Sequence, residues 1–198
     1  MPYKEKTSFG SQIRTPKPIL LIQPSGEMPN QTDKYSWPRD LPLVTAQKVV
    51  DAFLDTHTVV HVRRNDQPTL QNVIPVEVAS FRHLAVLIAM SDKRLFIDSV
   101  CQHAAAALGL PSVVFWVANV PSQFGYEMHH NIIANPPTLE PELRSAIFSM
   151  YNTNGPEKEF PYRDELEIIE AWVLIEALKK MGTTATTPQK HNPPSKAK

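Results

Sequence analysis

The chain has 198 residues, 42% of them hydrophobic and 20% charged, which suffices for one domain with a substantial core and falls short of two full ones. Its 20 basic and 20 acidic residues balance, so the net charge gives no reason to expect a nucleic acid as partner. The single cysteine excludes an intrachain disulfide and favours a reducing compartment. No apolar signal segment and no run of bilayer-spanning length are visible, which predicts a cytoplasmic protein and leaves peripheral contact with the inner membrane open.

The first part of the chain alternates apolar runs with amphipathic stretches. Residues 18–23 form a continuous apolar run of strand length, and a long polar loop follows over 24–42. Thr45 is predicted to cap a helix that ends near Thr56, because apolar residues follow it at helical spacing. Residues 58–62 are predicted to form the second strand.

The same alternation continues to the end of the chain. Ser80 is predicted to cap a helix that runs to Met90. The remaining predicted elements are strands over 94–97, 112–117 and 131–134 and helices over 99–108, 140–150 and 164–180. This order predicts an α/β fold, a Rossmann-like doubly wound parallel sheet with helices on both faces. The loops that follow the strands of such a sheet meet at one edge, where we expect the ligand.

Both ends of the chain are polar. Residues 1–17 are predicted to be a flexible arm or linker, and residues 183–198 a disordered tail. The predicted folded domain therefore covers residues 18–182 and closes with the helix over 164–180.

The segment from Asp98 to His103 is the strongest candidate for a binding site. An apolar strand ends in Asp98 and Ser99, and a helix rich in alanine begins there. The backbone N–H groups of Ser99, Val100 and Cys101, with the Ser99 hydroxyl, are suited to hold a phosphate. The structural alternative is that Asp98 only caps the helix and that His103, one turn further on, only packs against it. The residues alone leave both interpretations open.

Further candidates follow the first two strands. Lys34, in the long loop after the first strand, is a candidate counter-charge for a phosphate, and Ser25 and Gly26 in the same loop are candidate ligand contacts. Arg63 follows the second strand, where doubly wound proteins often contact a base or a ribose. Each of these residues has the alternative of an ordinary solvated loop position.

The sequence predicts neither a metal nor a cofactor. His129 and His130 are adjacent, so their side chains point apart on a strand, and no Cys, Asp or Glu cluster completes a metal site. The glycine patterns of nicotinamide-binding proteins, of P-loop proteins and of serine hydrolases do not occur.

The segment over 96–111, FIDSVCQHAAAALGLP, resembles the signature of glycosyltransferase family nine, the ADP-heptose:lipopolysaccharide heptosyltransferases. The family pattern is roughly D-[ST]-G-x-x-H-x-A-A-A-x-G-x-P, followed by an apolar strand. Lys34, shortly before Trp37 and Pro38, also fits the upstream order of the family. Val100 departs from the pattern, because the family has glycine there and a side chain hinders close approach of the backbone to phosphates.

This resemblance implies a bacterial GT-B glycosyltransferase, in which two Rossmann-like domains face a cleft, and the chain resembles the C-terminal, donor-binding half. It implies transfer of a sugar from a nucleotide-diphosphate donor to a lipopolysaccharide, another envelope glycan or a lipid-linked acceptor, without a metal. Ser99 and the backbone after it would touch the donor diphosphate, Lys34 would neutralise it, and His103 would lie beneath that loop. The catalytic base is then expected outside this chain, in an N-terminal acceptor domain or a partner chain.

Two other functions fit the same residues. One is a catalytically inactive module or scaffold of the same fold that binds a nucleotide or a glycan, which the side chain of Val100 and the missing second domain favour. The other is a different nucleotide-sugar enzyme of this fold, such as an epimerase that works by elimination.

Overall fold

Six strands form one sheet in the computed structural model, which describes residues 15–26, 38–139 and 160–182. The strands are β1 (Ile19–Gln23), β2 (Thr58–Val62), β3 (Ile74–Val76), β4 (Lys93–Ile97), β5 (Val113–Trp116) and β6 (His130–Ile133). Their order is β3-β2-β1-β4-β5-β6, and every neighbouring pair is parallel. This confirms the Rossmann-like doubly wound sheet predicted from the sequence.

Helices cover both faces of the sheet. They are α1 (Leu43–Phe53), α2 (Phe81–Met90), α3 (Val100–Ala107), the four-residue α4 (Pro121–Phe124) and α5 (Ala171–Lys180). α1 and α5 pack on one face, against a core that includes Leu20 and Ile22 of β1. α2 and α3 pack on the other face, against a core that includes Ile19 and Leu21. The side chains of β1 thus alternate between two buried cores, which is why its first four residues are all apolar.

Two buried cations of β4 hold the ends of helices. Lys93 Nζ donates to the carbonyl oxygens of Leu178 and Met181 over 2.6 and 2.8 Å, at the C-terminal end of α5. Arg94 Nε donates to the carbonyl oxygen of Pro111 over 2.8 Å, and its guanidinium also bonds to Ser91 after α2. Helix C-termini present unpaired carbonyls and a partial negative charge, so these cations stabilise them. Burial lowers the pKa of both side chains.

Two sequence predictions about the elements were wrong, and one strand was missed. α1 begins after Pro42 with no side-chain cap, and Thr45 is buried inside the helix, so Thr45 is not its cap. β3 was not predicted, because it has three residues, lies at the edge of the sheet and contains Pro75. The helix predicted over 164–180 is regular only from Ala171. The helix predicted over 140–150 lies outside the described residues.

Between Asp164 and Glu170 the chain forms a short 3-10 helix, Glu165–Glu167, rather than the start of α5. The Asp164 carboxylate accepts a hydrogen bond from the N–H of Leu166 over 2.8 Å and caps this turn. Ile168 and Ile169 are buried in the core, and Glu170 has extended backbone angles, so the regular helix begins only afterwards. Among the described residues, no helix is long and apolar enough to cross a membrane.

Candidate functional site

A cavity of about 520 Å³ opens at the carboxyl ends of β1, β2 and β4, on the side of the sheet that α2 and α3 cover. In the sheet, β1 lies between β2 and β4, and the strand order reverses its direction between β1 and β4. Doubly wound sheets bind ligands at such a switch point. The cavity is lined by Gln23, Ser25, Gly26, Arg39, Val62, Arg63, Arg64, Gln67, Glu77, Val78, Ser80, Phe81, Leu84, Ser99, Val100 and Cys101. The structure therefore brings together five of the predicted contacts: Ser25, Gly26, Arg63, Ser99 and Val100.

Ser99 links β1 to the first turn of α3. Its hydroxyl accepts a hydrogen bond from the N–H of Cys101 over 3.2 Å, and it donates to the Oε1 atom of Gln23. The Ser99 carbonyl accepts from the N–H of Gln102 over 3.2 Å. Ser99 therefore caps the helix, in place of Asp98, and it occupies the N–H of Cys101, one of the three N–H groups that the sequence offered to a phosphate.

Val100 is the first residue of α3 and 47% of it is exposed. Its N–H lies at the helix position that has no intrahelical partner, and its side chain lines the cavity. The side chain that departs from the family glycine thus reaches the cavity itself. An anion has less room at this helix end than the family pattern would allow.

Arg39 is a cation of the cavity lining that was not predicted from the sequence. Its Nε donates to the carbonyl oxygen of Asp98 over 2.7 Å, which holds the loop before α1 over the end of β4. Gly26 lies directly under it, because a Cβ on Gly26 would come 3.2 Å from Arg39 Nε. The N–H of Gly26 donates to Asp40 Oδ1 over 2.9 Å and fixes this loop. The available signal was a second cation in the loop that already contains Lys34.

The loop after β2 contributes two more guanidinium groups. Arg63 Nε donates to the Gln67 carbonyl over 3.0 Å, which curls the loop, and Gln67 Nε2 donates to the Gly26 carbonyl over 2.8 Å. Arg64 forms a partly exposed ion pair with Asp66 at 2.8 Å. Among the described lining residues, Arg39, Arg63 and Arg64 outnumber the single carboxylate of Glu77. Like charges in a concave site raise the local concentration of anions.

The other predicted site residues lie elsewhere. Asp98 does not line the cavity, and its Oδ2 accepts a hydrogen bond from Asn119. His103 is an exposed residue of α3 outside the cavity lining, and its Nδ1 lies 3.1 Å from the Tyr126 hydroxyl. Lys34 falls within residues 27–37, outside the described residues.

Cys101 and His129 serve structural roles. Burial raises the pKa of the Cys101 thiol to about 12, so it is protonated at neutral pH and is a poor nucleophile. His129 Nδ1 accepts from the N–H of Ser112 over 3.2 Å, and its Nε2 donates to the Gln102 carbonyl over 3.0 Å. Burial lowers the pKa of His129, in agreement with a neutral ring.

Over 15–26, 38–139 and 160–182, no group of three or more His, Cys, Asp or Glu residues is arranged to hold a metal.

Comparisons with known proteins identify the fold. No family model matches the sequence, and no curated protein matches it. Among solved structures, E. coli ADP-heptose lipopolysaccharide heptosyltransferase II is similar with a TM-score of 0.60 at 16% identity, over 91% of this chain and 52% of that chain. The chain has the fold of the heptosyltransferases.

Two further structures agree with this result. A glycosyl transferase family 9 protein from Veillonella parvula gives a TM-score of 0.57 at 16% identity, over 89% of this chain and 50% of that one. E. coli heptosyltransferase WaaC with ADP gives 0.55 at 13% identity, over 88% and 48%. The chain thus spans about half the length of the structures that it matches. The fold that the resemblance to glycosyltransferase family nine implies is thereby confirmed.

Proposed function

We propose that this chain is the donor-binding domain, the C-terminal half, of a heptosyltransferase-like glycosyltransferase. It would bind a nucleotide-diphosphate sugar whose sugar is transferred to lipopolysaccharide or another envelope glycan. The observation that carries this proposal is the cavity with three arginines at the switch point of the sheet. The similar structure of WaaC was solved with ADP, which supports a nucleoside diphosphate as the ligand class.

The arginines suit a diphosphate. Guanidinium groups bind phosphate oxygens with paired hydrogen bonds, and they stay charged at every physiological pH. Because Ser99 already occupies two N–H groups of α3, we assign the main phosphate contact to Arg39, with Lys34 in the same loop as a second cation. In transfer, these cations would stabilise the negative charge that develops on the departing diphosphate without a metal.

The base that deprotonates the acceptor hydroxyl is assigned to a second polypeptide segment. A sugar transfer of this kind needs such a base within hydrogen-bond reach of the acceptor. The chain spans about half the length of the matched structures, so we place this base and the acceptor surface in an N-terminal acceptor domain or a partner chain. The acceptor itself would be a glycan or a lipid-linked glycan.

Calorimetric titration of the purified chain with ADP, GDP and UDP tests the proposal. We expect one nucleotide to bind, and Arg39→Ala and Lys34→Ala each to weaken it by about tenfold or more, or ~1.4 kcal/mol. Arg82→Ala is the matched control, because Arg82 is an exposed arginine of α2 that does not line the cavity. Absence of binding by all three nucleotides at millimolar concentration would overturn the proposal.

An inactive binding module is the second candidate function. The two internal hydrogen bonds of the Ser99 hydroxyl and the Val100 side chain at the cavity favour it, because both reduce the phosphate contacts that α3 can offer. The chain can be mixed with the acceptor domain, an acceptor glycan and ADP-heptose. If the chain binds ADP but no ADP is released from ADP-heptose in this mixture, the result supports an inactive binding module. Release of ADP in that mixture would support the enzyme.

A further inference from the structure

Phe81 is a large apolar side chain that the core does not use. It is the first residue of α2, and 63% of it is exposed. The apolar residues that follow on the same helix, Leu84, Leu87 and Ile88, are buried against the sheet. Ser80 caps the helix by accepting the N–H of His83 over 3.3 Å, so the helix start does not depend on Phe81. The exposed side chain nevertheless lines the cavity.

The cavity has chemically distinct walls. The loop between β1 and α1 and the loop after β2 supply the arginines, and the hydrogen bond from Gln67 to the Gly26 carbonyl joins these two loops. The end of β3 and the first residues of α2 and α3 supply apolar side chains, namely Val78, Phe81 and Val100. Ligand sites that join a charged group to an apolar surface orient ligands with one charged end and one planar or apolar end.

We propose that Phe81 is the stacking surface for the nucleobase of the ligand, and that it thereby determines specificity for a nucleotide over a bare sugar diphosphate. This inference rests on the proposed function, since it takes a nucleoside diphosphate as ligand. An aromatic ring offers a flat face on which any base can stack, and such stacking is common where proteins bind unpaired bases. With the diphosphate on the arginine wall, the base reaches the wall formed by Phe81 and Val78.

The test is the affinity of ADP for a series of variants at Phe81, measured by calorimetry. We expect Phe81→Ala to weaken ADP binding by about tenfold and Phe81→Leu to weaken it nearly as much, because Leu is apolar but cannot stack. Phe81→Trp should bind at least as tightly as the wild type, and its added indole fluorescence should be quenched by ADP. Val86→Ala is the control, because Val86 is an exposed apolar residue of α2 outside the cavity.

Each outcome decides between the inference and the proposed function. If the wild type binds ADP and Phe81→Ala or Phe81→Leu binds it equally well, the stacking role is wrong while the proposed function stands. If Phe81→Ala also lowers the midpoint of thermal unfolding, its loss of affinity is attributed to a damaged fold. The fluorescence of Phe81→Trp is then the deciding measurement, and an indole that ADP does not quench would overturn the inference. If the wild type binds none of ADP, GDP and UDP, both fall together.

Discussion

The hydroxyl of Ser99 donates to the side-chain oxygen of Gln23, although 76 positions separate the two residues in the chain. Gln23 is the last residue of β1, and its Nε2 donates in turn to the Ser25 carbonyl over 2.9 Å. Both side chains are buried. This contact fixes the first turn of α3 against the loop that begins the cavity, so the floor of the site is a preformed hydrogen-bonded unit.

Ser99→Ala is expected to destabilise the protein more than Ser80→Ala. Both serines cap a helix, which is worth about 1 kcal/mol. Ser99→Ala also leaves the buried Gln23 oxygen without its donor, at a further cost of about 1–3 kcal/mol, whereas Ser80 is exposed. Urea unfolding of the two variants measures the difference. Equal losses in the two variants would contradict the role assigned to the Ser99–Gln23 contact.

Gly26→Ala is expected to weaken ADP binding by about threefold or more while changing the free energy of unfolding little. The new Cβ would lie 3.2 Å from Nε and 3.4 Å from Cδ of Arg39, so this flexible side chain must shift away from the Asp98 carbonyl. Gly182→Ala is the control, since no heavy atom lies within 4 Å of its new Cβ. Unchanged ADP affinity in Gly26→Ala would show that the position of Arg39 does not matter for binding.

His61 makes the stability of the protein depend on pH. Burial, with a contribution from Arg63, lowers its pKa from the ordinary value of 6.5 to about 4. Above pH 6.5 the ring is neutral in both states and the full stability is present. As the pH falls from 6.5 towards 4, the unfolded chain takes up a proton that the folded chain does not, and about 3 kcal/mol of stability is lost.

The variant His61→Asn tests this pH dependence. Its side-chain oxygen can still accept the N–H of Leu70, which now points at His61 Nδ1 over 3.5 Å, but it does not titrate. We expect a smaller loss of unfolding free energy between pH 7 and pH 4 than in the wild type, measured by urea unfolding. His130→Gln, at an exposed histidine, should retain the wild-type loss. An equal loss in His61→Asn would assign the dependence to other groups.

Cys101 is expected to resist thiol reagents in the folded protein. The residue is 1% exposed, and burial raises the pKa of its thiol to about 12, so thiolate is scarce at pH 8. Labelling should require opening of the structure, and the native rate should be slower than the rate in denaturant by a factor on the order of a thousand. A disulfide reagent followed by absorbance measures both rates, and rapid labelling of the native chain would contradict the buried position.

Local sequence patterns predicted most of the sheet. The strands β1 and β5 are almost entirely apolar because helices cover both of their faces, and β2 and β4 contain shorter apolar runs. Ser80 was recognised as a cap because it precedes an amphipathic stretch. The edge strand β3 was missed, since a strand of three residues with a proline in the middle, two of them exposed, carries no such pattern. The start of α5 was misplaced because Ile168 and Ile169 are apolar for the core rather than for a helix.

A strand that ends in Asp98 and Ser99 before a helix is a local feature, so the amino-acid sequence alone was enough to predict a phosphate-type site where β4 meets α3. Which side chains line the cavity there depends on the tertiary structure. Arg39 reaches the Asp98 carbonyl across 59 positions, and His103, one turn into the same helix, lies outside the cavity. Spacing along the chain specifies the period and the caps of each element. The packing between distant elements decides which loops converge at the edge of a sheet, and no local sequence pattern contains that information.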